Sequence, residues 1–386
     1  TRKGSPRPPM GQAKEVHRPF QAEETLGFWY EHNHNSSSIH SPITLTMNYY
    51  IKIATPNKAK ADIDEISKQL GYTNLAYKDY GSGGAGRFMT KLFGVLHILT
   101  TMRKGDVLFL QYPMKKFYKM ATTFAHWRGA KVVTVIHDLG AFRRHKLTPE
   151  QENHRLDKTD FIICHNDTMA KYLREHGYKG GLHSLEIFDY LSDYPVKNQK
   201  PTFKLQNNGE ASVVYAGNLG MWRNEFLYHL NGIVSNWKFD LYGKGFDLTK
   251  NTCDKLIYHG FIRSDDFIKN VHANFGLVWD GASVDECNGA WGEYLKINNP
   301  HKTSFYLRAG IPVIVWSQAA MAPFVRKYNV GIVIDSIRDI DKRLADLTAD
   351  EYKTIHDNAV AMGKQLADGH YIKAGLKAAH EFFSNN

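Results

Sequence analysis

Lys302, Thr303 and Ser304 stand together in the stretch NNPHKTSFYLRAGIPVIV, residues 298–315. They follow a proline and open a segment that reads as two turns of helix, Lys302 to Ala309. Gly310 caps it, and Ile311-Pro312-Val313 enters a buried strand. The first N–H groups of a helix lack internal partners, and the helix dipole is positive there. A full charge from Lys302 and two hydroxyl donors make that end suited to phosphate, here to a diphosphate. The same residues also fit an ordinary hydroxyl cap beside a solvated lysine.

A second group that could move protons is His137-Asp138, at the end of an apolar run in VIHDLGAFR, 135–143. Ligands of open α/β sheets bind beyond the carboxyl ends of strands, so either residue could take a proton from a hydroxyl. The structural alternative is a turn cap at Asp138 and a satisfied buried histidine at 137. CHND, 164–167, sits equivalently after the next strand, where His165 and Asp167 read as helix caps. Metal chemistry finds little support. The triplets Asp62-Ile63-Asp64 and Asp339-Ile340-Asp341 both read as helix surface. Cys164, Cys253 and Cys287 lie far apart without C-x-x-C spacing, which argues against zinc or a disulfide framework and fits a reducing, cytoplasmic setting.

These groups need elements to hold them. From Met47 short apolar runs alternate with amphipathic stretches: strands at 48–54, 73–77, 106–113, 131–138 and 160–165, helices at 57–71, 87–102, 115–129, 148–158 and 166–177. A polar stretch with two prolines and Asn-Asn-Gly, 194–210, reads as a linker. A second series has strands at 211–217, 237–243, 255–260, 273–279, 311–316 and 330–334, and residues 350–386 read as one or two helices. This repeated βα pattern predicts parallel sheets covered on both faces. Residues 1–46 are basic, Pro-rich and then polar without period, and read as a leader or tail outside the fold. The domains expected are 47–200, 205–349 and a helical end, 350–386, that could return to the first domain. GSGGAGR, 81–87, follows the second strand rather than the first. It is a poor dinucleotide fingerprint, and reads as a flexible connection or a loop over a cleft.

Two tandem Rossmann-like domains, VVYAGNLGMWR opening the second and NNPHKTSFYLRAGIPVIV near its end, resemble GT-B glycosyltransferases. The nearest resemblance is to the bacterial galactofuranosyltransferase-like subfamily that includes glucosyltransferases extending GlcNAc on serine-rich adhesins. The resemblance implies a GT-B fold of two parallel sheets facing a central cleft. It implies a hexosyltransferase, metal-independent and without a cofactor, that takes glucose, galactose or galactofuranose, or GlcNAc from a UDP-sugar substrate. The acceptor implied is a glycan or glycoprotein. It places Gly217, Asn218 and Arg223 on a donor-facing loop, and Lys302, Thr303 and Ser304 at the phosphate end of a helix. The nucleobase would lie near Tyr258 and Phe261. Phe305 replaces the Glu that grips ribose in many members, so the resemblance implies that backbone groups or another acid hold the ribose, with Asp280 as the candidate acid.

The chain of 386 residues carries a formal charge of +10, with 42% hydrophobic and 23% charged residues. That composition suits two soluble domains. The basic excess fits a phosphorylated substrate, and peripheral membrane association or a homo-oligomer would be compatible with it. Nucleic-acid binding lacks any RRM, KH or helix-turn-helix signature. No run of about 18 apolar residues marks a membrane span, and no apolar signal-peptide region precedes residue 25. A non-catalytic GT-B-like subunit that binds a partner glycosyltransferase or adhesin is the competing reading.

Overall fold

Apolar runs bounded by glycines and polar turns form two six-stranded sheets in the computed structural model. It describes residues 46–52, 55–81, 83–114, 116–143, 147–197 and 211–386. The leader reading of 1–46 falls almost wholly outside these residues, as does the linker from 198 onward. The first sheet holds β1 (Asn48–Tyr50), β2 (Thr73–Asn74), β3 (Val107–Tyr112), β4 (Lys131–Ile136), β5 (Phe161–Cys164) and β6 (Gly181–Ser184), in the order β2-β1-β3-β4-β5-β6. The second holds β7 (Ala211–Asn218), β8 (Trp237–Lys244), β9 (Leu256–Tyr258), β10 (Phe275–Val278), β11 (Val313–Trp316) and β12 (Gly331–Ile334), in the order β12-β11-β10-β7-β8-β9. Every pairing is parallel. Parallel neighbours need crossover connections, and helices supply them. This is the two-domain α/β arrangement of a GT-B fold.

Strand order reverses between β1 and β3 in the first sheet and between β7 and β10 in the second. Ligand crevices open at such switch points, beyond the carboxyl ends. The end of β7 carries Gly217 and Asn218, and β10 runs out toward Asp280. Position in the topology therefore brings together residues that are 62 apart in sequence (218 to 280).

The helix His301–Arg308 is fixed to this crevice by its own sequence. Tyr306 lies over Gly276 of β10, where an added Cβ would meet its ring atoms at 2.4 Å. The Tyr306 hydroxyl then reaches β7 and accepts the Ala216 N–H at 2.7 Å. Only a glycine at 276 lets the aromatic ring approach the strand so closely. From the first sheet, Asn166 Nδ2 donates to Ile297 O (3.0 Å) and Asn299 Oδ1 (2.7 Å), and His165 Nδ1 accepts from Asn299 N (2.8 Å). These bonds hold the loop before Pro300 across the cleft.

One buried cluster joins the sheets. It includes Phe109, Val135 and Ile163 from the first, Val214, Val278 and Val313 from the second, and Leu366, Tyr371 and Leu376 from the last two helices. The helix Ala349–Asp368 ends at Gly369, with φ +74°. Asp189 accepts the N–H groups of Tyr371 (3.1 Å) and Ile372 (2.7 Å), and so caps the start of helix His370–Ser384, which packs on β5 and β6.

Several elements differ from the sequence reading. The short strand β6 was not anticipated, because GLHS has little apolar character. The glycines at 83–86 are not a free loop. The helix Gly84–Thr101 begins there, and a Cβ at Gly86 would meet Tyr80 O at 2.3 Å. Asp62 and Asp64 are buried rather than on the helix surface. Asp62 accepts from Lys58 and from Leu191 N, and Asp64 from Gln111 Nε2.

Candidate functional site

Two cavities meet at the end of β7 and share a wall made of Ala216, Gly217, His301 and Lys302. One, of about 540 Å³, is largely aromatic, with Tyr190, Tyr242, Phe261 and Phe305 on its walls. The other, of about 430 Å³, is polar and carries Asn218, Arg223, Asp280, Trp291, His137 and His165. The shared wall is thin because of backbone geometry. Gly217 has φ +138°, a conformation that side chains disfavour, and a Cβ there would sit 3.4 Å from Lys302 Cε. A third cavity, of about 700 Å³, lies at the switch point of the first sheet against Ile51, Lys60, Asp64, Gln111 and Phe117.

The charge centre of the polar cavity is a buried carboxylate held by two cations. Arg223 forks onto Asp280, Nε to Oδ1 at 3.0 Å and an Nη to Oδ2 at 3.1 Å. Lys302 Nζ lies 3.3 Å from Asp280 Oδ1 and also donates to the Tyr215 hydroxyl. The Arg223 guanidinium stacks on Trp291 at 4.0 Å, and Lys302 lies over the Tyr215 ring at 3.9 Å. Arg223 belongs to the short helix Met221–Asn224 after β7, and its carbonyl accepts Gly281 N at 3.1 Å, which ties the loops after β7 and β10 together. Burial alone would raise the Asp280 carboxyl. Lys302 and Arg223 outweigh burial and hold it below the usual carboxylate range. Burial, with Arg223 adding to it, pushes Lys302 down to about 8 against the pull of Asp280. Two cations on one carboxylate leave one positive charge in excess, facing the cavity.

Three histidines gather around Phe188. His137 stacks on its ring at 5.4 Å, and His165 and His301 meet it edge-on at 4.9 and 6.2 Å. Burial and the nearby charge of Lys60 push His137 well below the ordinary imidazole value. Burial takes His165 to about 3 and, with Lys58 adding to it, His301 to about 4. All three are neutral at neutral pH. His137 Nε2 lies 2.7 Å from Gln111 Oε1, and the Gln111 amide nitrogen donates to Asp64 Oδ1 (2.7 Å) and Lys60 O (3.2 Å). Those two acceptors fix which end of the amide faces His137. The histidine therefore donates through Nε2 and keeps its lone pair on Nδ1.

The structure brings Gly217, Asn218, Arg223, Asp280, Lys302 and His137 to the polar cavity, and Phe261, 62% exposed, to the rim of the aromatic one. Others lie elsewhere. Thr303 and Ser304 line neither cavity. Both are buried on the inner side of the helix, and their hydroxyls have no hydrogen-bond partner among the described residues. The cavity-facing residues of that helix are instead His301, Lys302 and Phe305. Tyr258 turns inward, donating to Gly243 O at 3.0 Å and packing on Phe246. Asp138 lines neither cavity. Asp280, on the wall of the polar cavity, is engaged as the counter-ion of Arg223 and Lys302. His165 does not cap a helix. Asn166 does so, accepting from Met169 N at 2.9 Å, and Asp167 sits in the first turn. Sequence reading missed Tyr215, Trp291, Phe188 and His301. Only His301 left a signal, since it stands four residues before Phe305 on one helix face.

The N-terminal domain of the glucosyltransferase 3-like family matches residues 44–187, and its C-terminal domain matches residues 213–379. The beta-1,6-galactofuranosyltransferase WbbI of Escherichia coli (strain K12) is 32% identical over 322 residues, 83% of this chain and 92% of that protein. The chain belongs to the glucosyltransferase 3-like family. Glucosyltransferase 3 of Streptococcus gordonii is 25% identical over 330 residues, 82% of this chain and 92% of its own length. Among solved structures, sucrose-phosphate synthase from Thermosynechococcus elongatus aligns at 14% identity with a TM-score of 0.48, over 79% of this chain and 81% of that one. Membership of the glucosyltransferase 3-like family makes the protein a glycosyltransferase.

Proposed function

We propose that the protein transfers a hexose from a UDP-sugar to a hydroxyl of a glycan or glycoprotein acceptor. The observation that carries this reading is the shared wall: one cationic residue, Lys302, borders both an aromatic cavity and a polar one. A nucleotide sugar has the same layout, with a flat base, a central diphosphate and a polar sugar. In this reading the nucleoside enters between Tyr242, Phe261 and Phe305, the diphosphate lies over Gly217 beside Lys302 and Arg223, and the sugar points into the cavity of His137. Galactofuranose and glucose are the sugars in the relatives' names, and galactose and GlcNAc complete the set of this reading.

The acceptor hydroxyl bonds to the anomeric carbon as the bond from that carbon to the diphosphate breaks. Its proton passes to the neutral imidazole of His137, oriented through Gln111, and the electron pair leaves on UDP. Negative charge grows on the leaving oxygen, and Lys302 and Arg223 stabilise it. The two cations make a metal-independent reaction the natural reading, with no cofactor beyond the substrate.

The test is calorimetric and kinetic. UDP should bind and raise the melting temperature by mass action. Arg223→Ala should weaken UDP by roughly 1.5–3 kcal/mol through loss of a charge-assisted contact. EDTA should leave sugar transfer intact. Unchanged UDP affinity in Arg223→Ala would remove the diphosphate from this cavity. A loss of transfer in EDTA, restored by manganese, would refute the metal-free mechanism.

A further inference from the structure

The face of the first sheet covered by helices Gly84–Thr101 and Lys116–Trp127 has an unusual charge and hydrophobic pattern. Between residues 83 and 131 the sequence has six lysines, three arginines and one acid, Asp106, whereas the whole chain has 49 basic and 39 acidic residues. Asp106 is buried and accepts from Met47 N (2.9 Å) and Arg103 N (2.7 Å), so it does not offset the surface charge.

Large apolar side chains are also exposed here. Tyr77 (73%), Trp127 (71%), Phe88 (39%), Leu96 (37%) and Tyr80 (36%) are five of the eleven that are exposed among the described residues. Four of them pack on a neighbouring ring. Tyr77 stacks on His97 at 4.7 Å and Tyr80 on Phe93 at 5.1 Å, while Phe88 meets Phe117 and Trp127 meets Phe124, both at 5.3 Å. A helix that only covered a sheet would turn its apolar stripe inward. The helix Gly84–Thr101 instead buries Thr90, Gly94, Val95 and Ile98, and leaves Phe88 and Leu96 at the surface.

We infer that this face docks on an anionic phospholipid bilayer. Acidic headgroups complement a surface with nine basic residues against the buried Asp106 between 83 and 131, with Asp79 exposed at its edge beside Tyr80, and the interfacial zone takes aromatic rings that have one wet edge. Phe88 and Leu96 gain by entering the acyl boundary. A nucleic acid would gain from the charge but offers an aliphatic side chain such as Leu96 no comparable apolar environment. The docking is independent of the donor reading, since it uses neither cavity at β7.

The test uses the full chain with vesicles of phosphatidylcholine, alone or with about one-third phosphatidylglycerol, in co-sedimentation at low and high salt. Binding should require the anionic lipid and weaken with salt. A triple variant, Lys104→Glu, Lys119→Glu and Trp127→Ser, should bind at least tenfold more weakly, at about fivefold for each lost charge. Its melting temperature and UDP affinity should match the parent protein, because all three side chains are exposed. Equal binding to neutral vesicles would overturn the inference. So would unchanged binding of the triple variant, which would move the contact to other basic residues, including those of 1–45. Polyglutamate or a random oligonucleotide binding as tightly as the vesicles, and losing as much in the triple variant, would assign the face to an acidic macromolecule instead.

Discussion

Lys302→Ala isolates the group on which the catalytic proposal turns. Lys302 Nζ is held by the Tyr215 hydroxyl, by Trp279 O at 3.4 Å and by Asp280 at 3.3 Å, so its position is set before substrate arrives. At about 4 Å from a phosphate oxygen, a unit charge in a medium of effective dielectric near 20 contributes roughly 4 kcal/mol. Asp280 offsets part of that in ground and transition state alike, while the charge growing on the leaving oxygen is new. The differential loss should approach the roughly 2.7–4 kcal/mol seen when one electrostatic stabiliser is removed, a hundredfold to thousandfold in turnover. UDP affinity should fall less, since the ground-state diphosphate keeps Arg223. The fold should tolerate the change because Arg223 still forks onto Asp280. The pH profile gives an independent reading. With Lys302 lowered to about 8, the lysine is charged below that pH and neutral above it, so kcat/KM should fall as pH rises through about 8. Lys302→Arg should carry the plateau to higher pH. The assays are sugar transfer at saturating donor, calorimetry with UDP, and melting without ligand. Normal turnover in a folded Lys302→Ala protein would refute the reasoning, whatever UDP affinity showed.

Asp280→Asn should destabilise the ligand-free protein by about 3–5 kcal/mol, since two buried cations lose their counter-ion. UDP should then raise its melting temperature by more than it raises the parent's. Because the Asp280 carboxyl is depressed in the folded state, its stabilisation is present above the ordinary aspartate value and lost as pH falls through the folded one, and acid denaturation should lack that component in the variant. Thr303→Val should leave turnover unchanged and melting temperature equal or higher, because it replaces a buried hydroxyl that has no partner among the described residues with a methyl of the same shape. A large loss of activity would place Thr303 at the donor after all. Gly276→Val should lower stability by about 1–3 kcal/mol by driving Tyr306 off β10, with UDP affinity falling as the helix His301–Arg308 shifts. An unperturbed melting curve would mean that the helix does not depend on that contact.

What the sequence carried by itself was local and periodic. The apolar runs of β3, β4, β7 and β8 and the Gly310 helix end follow from side-chain type within a few residues. So does the placement of Lys302 at the head of a helix. The resemblance puts Gly217, Asn218 and Arg223 on one loop, and the structure puts Gly217 and Asn218 at the end of β7 and Arg223 in the short helix after it. The partnerships could not be read this way. Asp280 meets Arg223 and Lys302 only because β10 lies beside β7 in the sheet, and Tyr215 reaches Lys302 across 87 residues for the same reason. Thr303 and Ser304 show the limit most plainly. Composition makes them phosphate ligands, but Tyr306 docking over Gly276 sets the rotation of the helix, which turns both hydroxyls into the interior and presents His301, Lys302 and Phe305 to the cavities. Which face of an eight-residue helix looks at a ligand is decided by what packs against its other side, and that is a property of the tertiary structure.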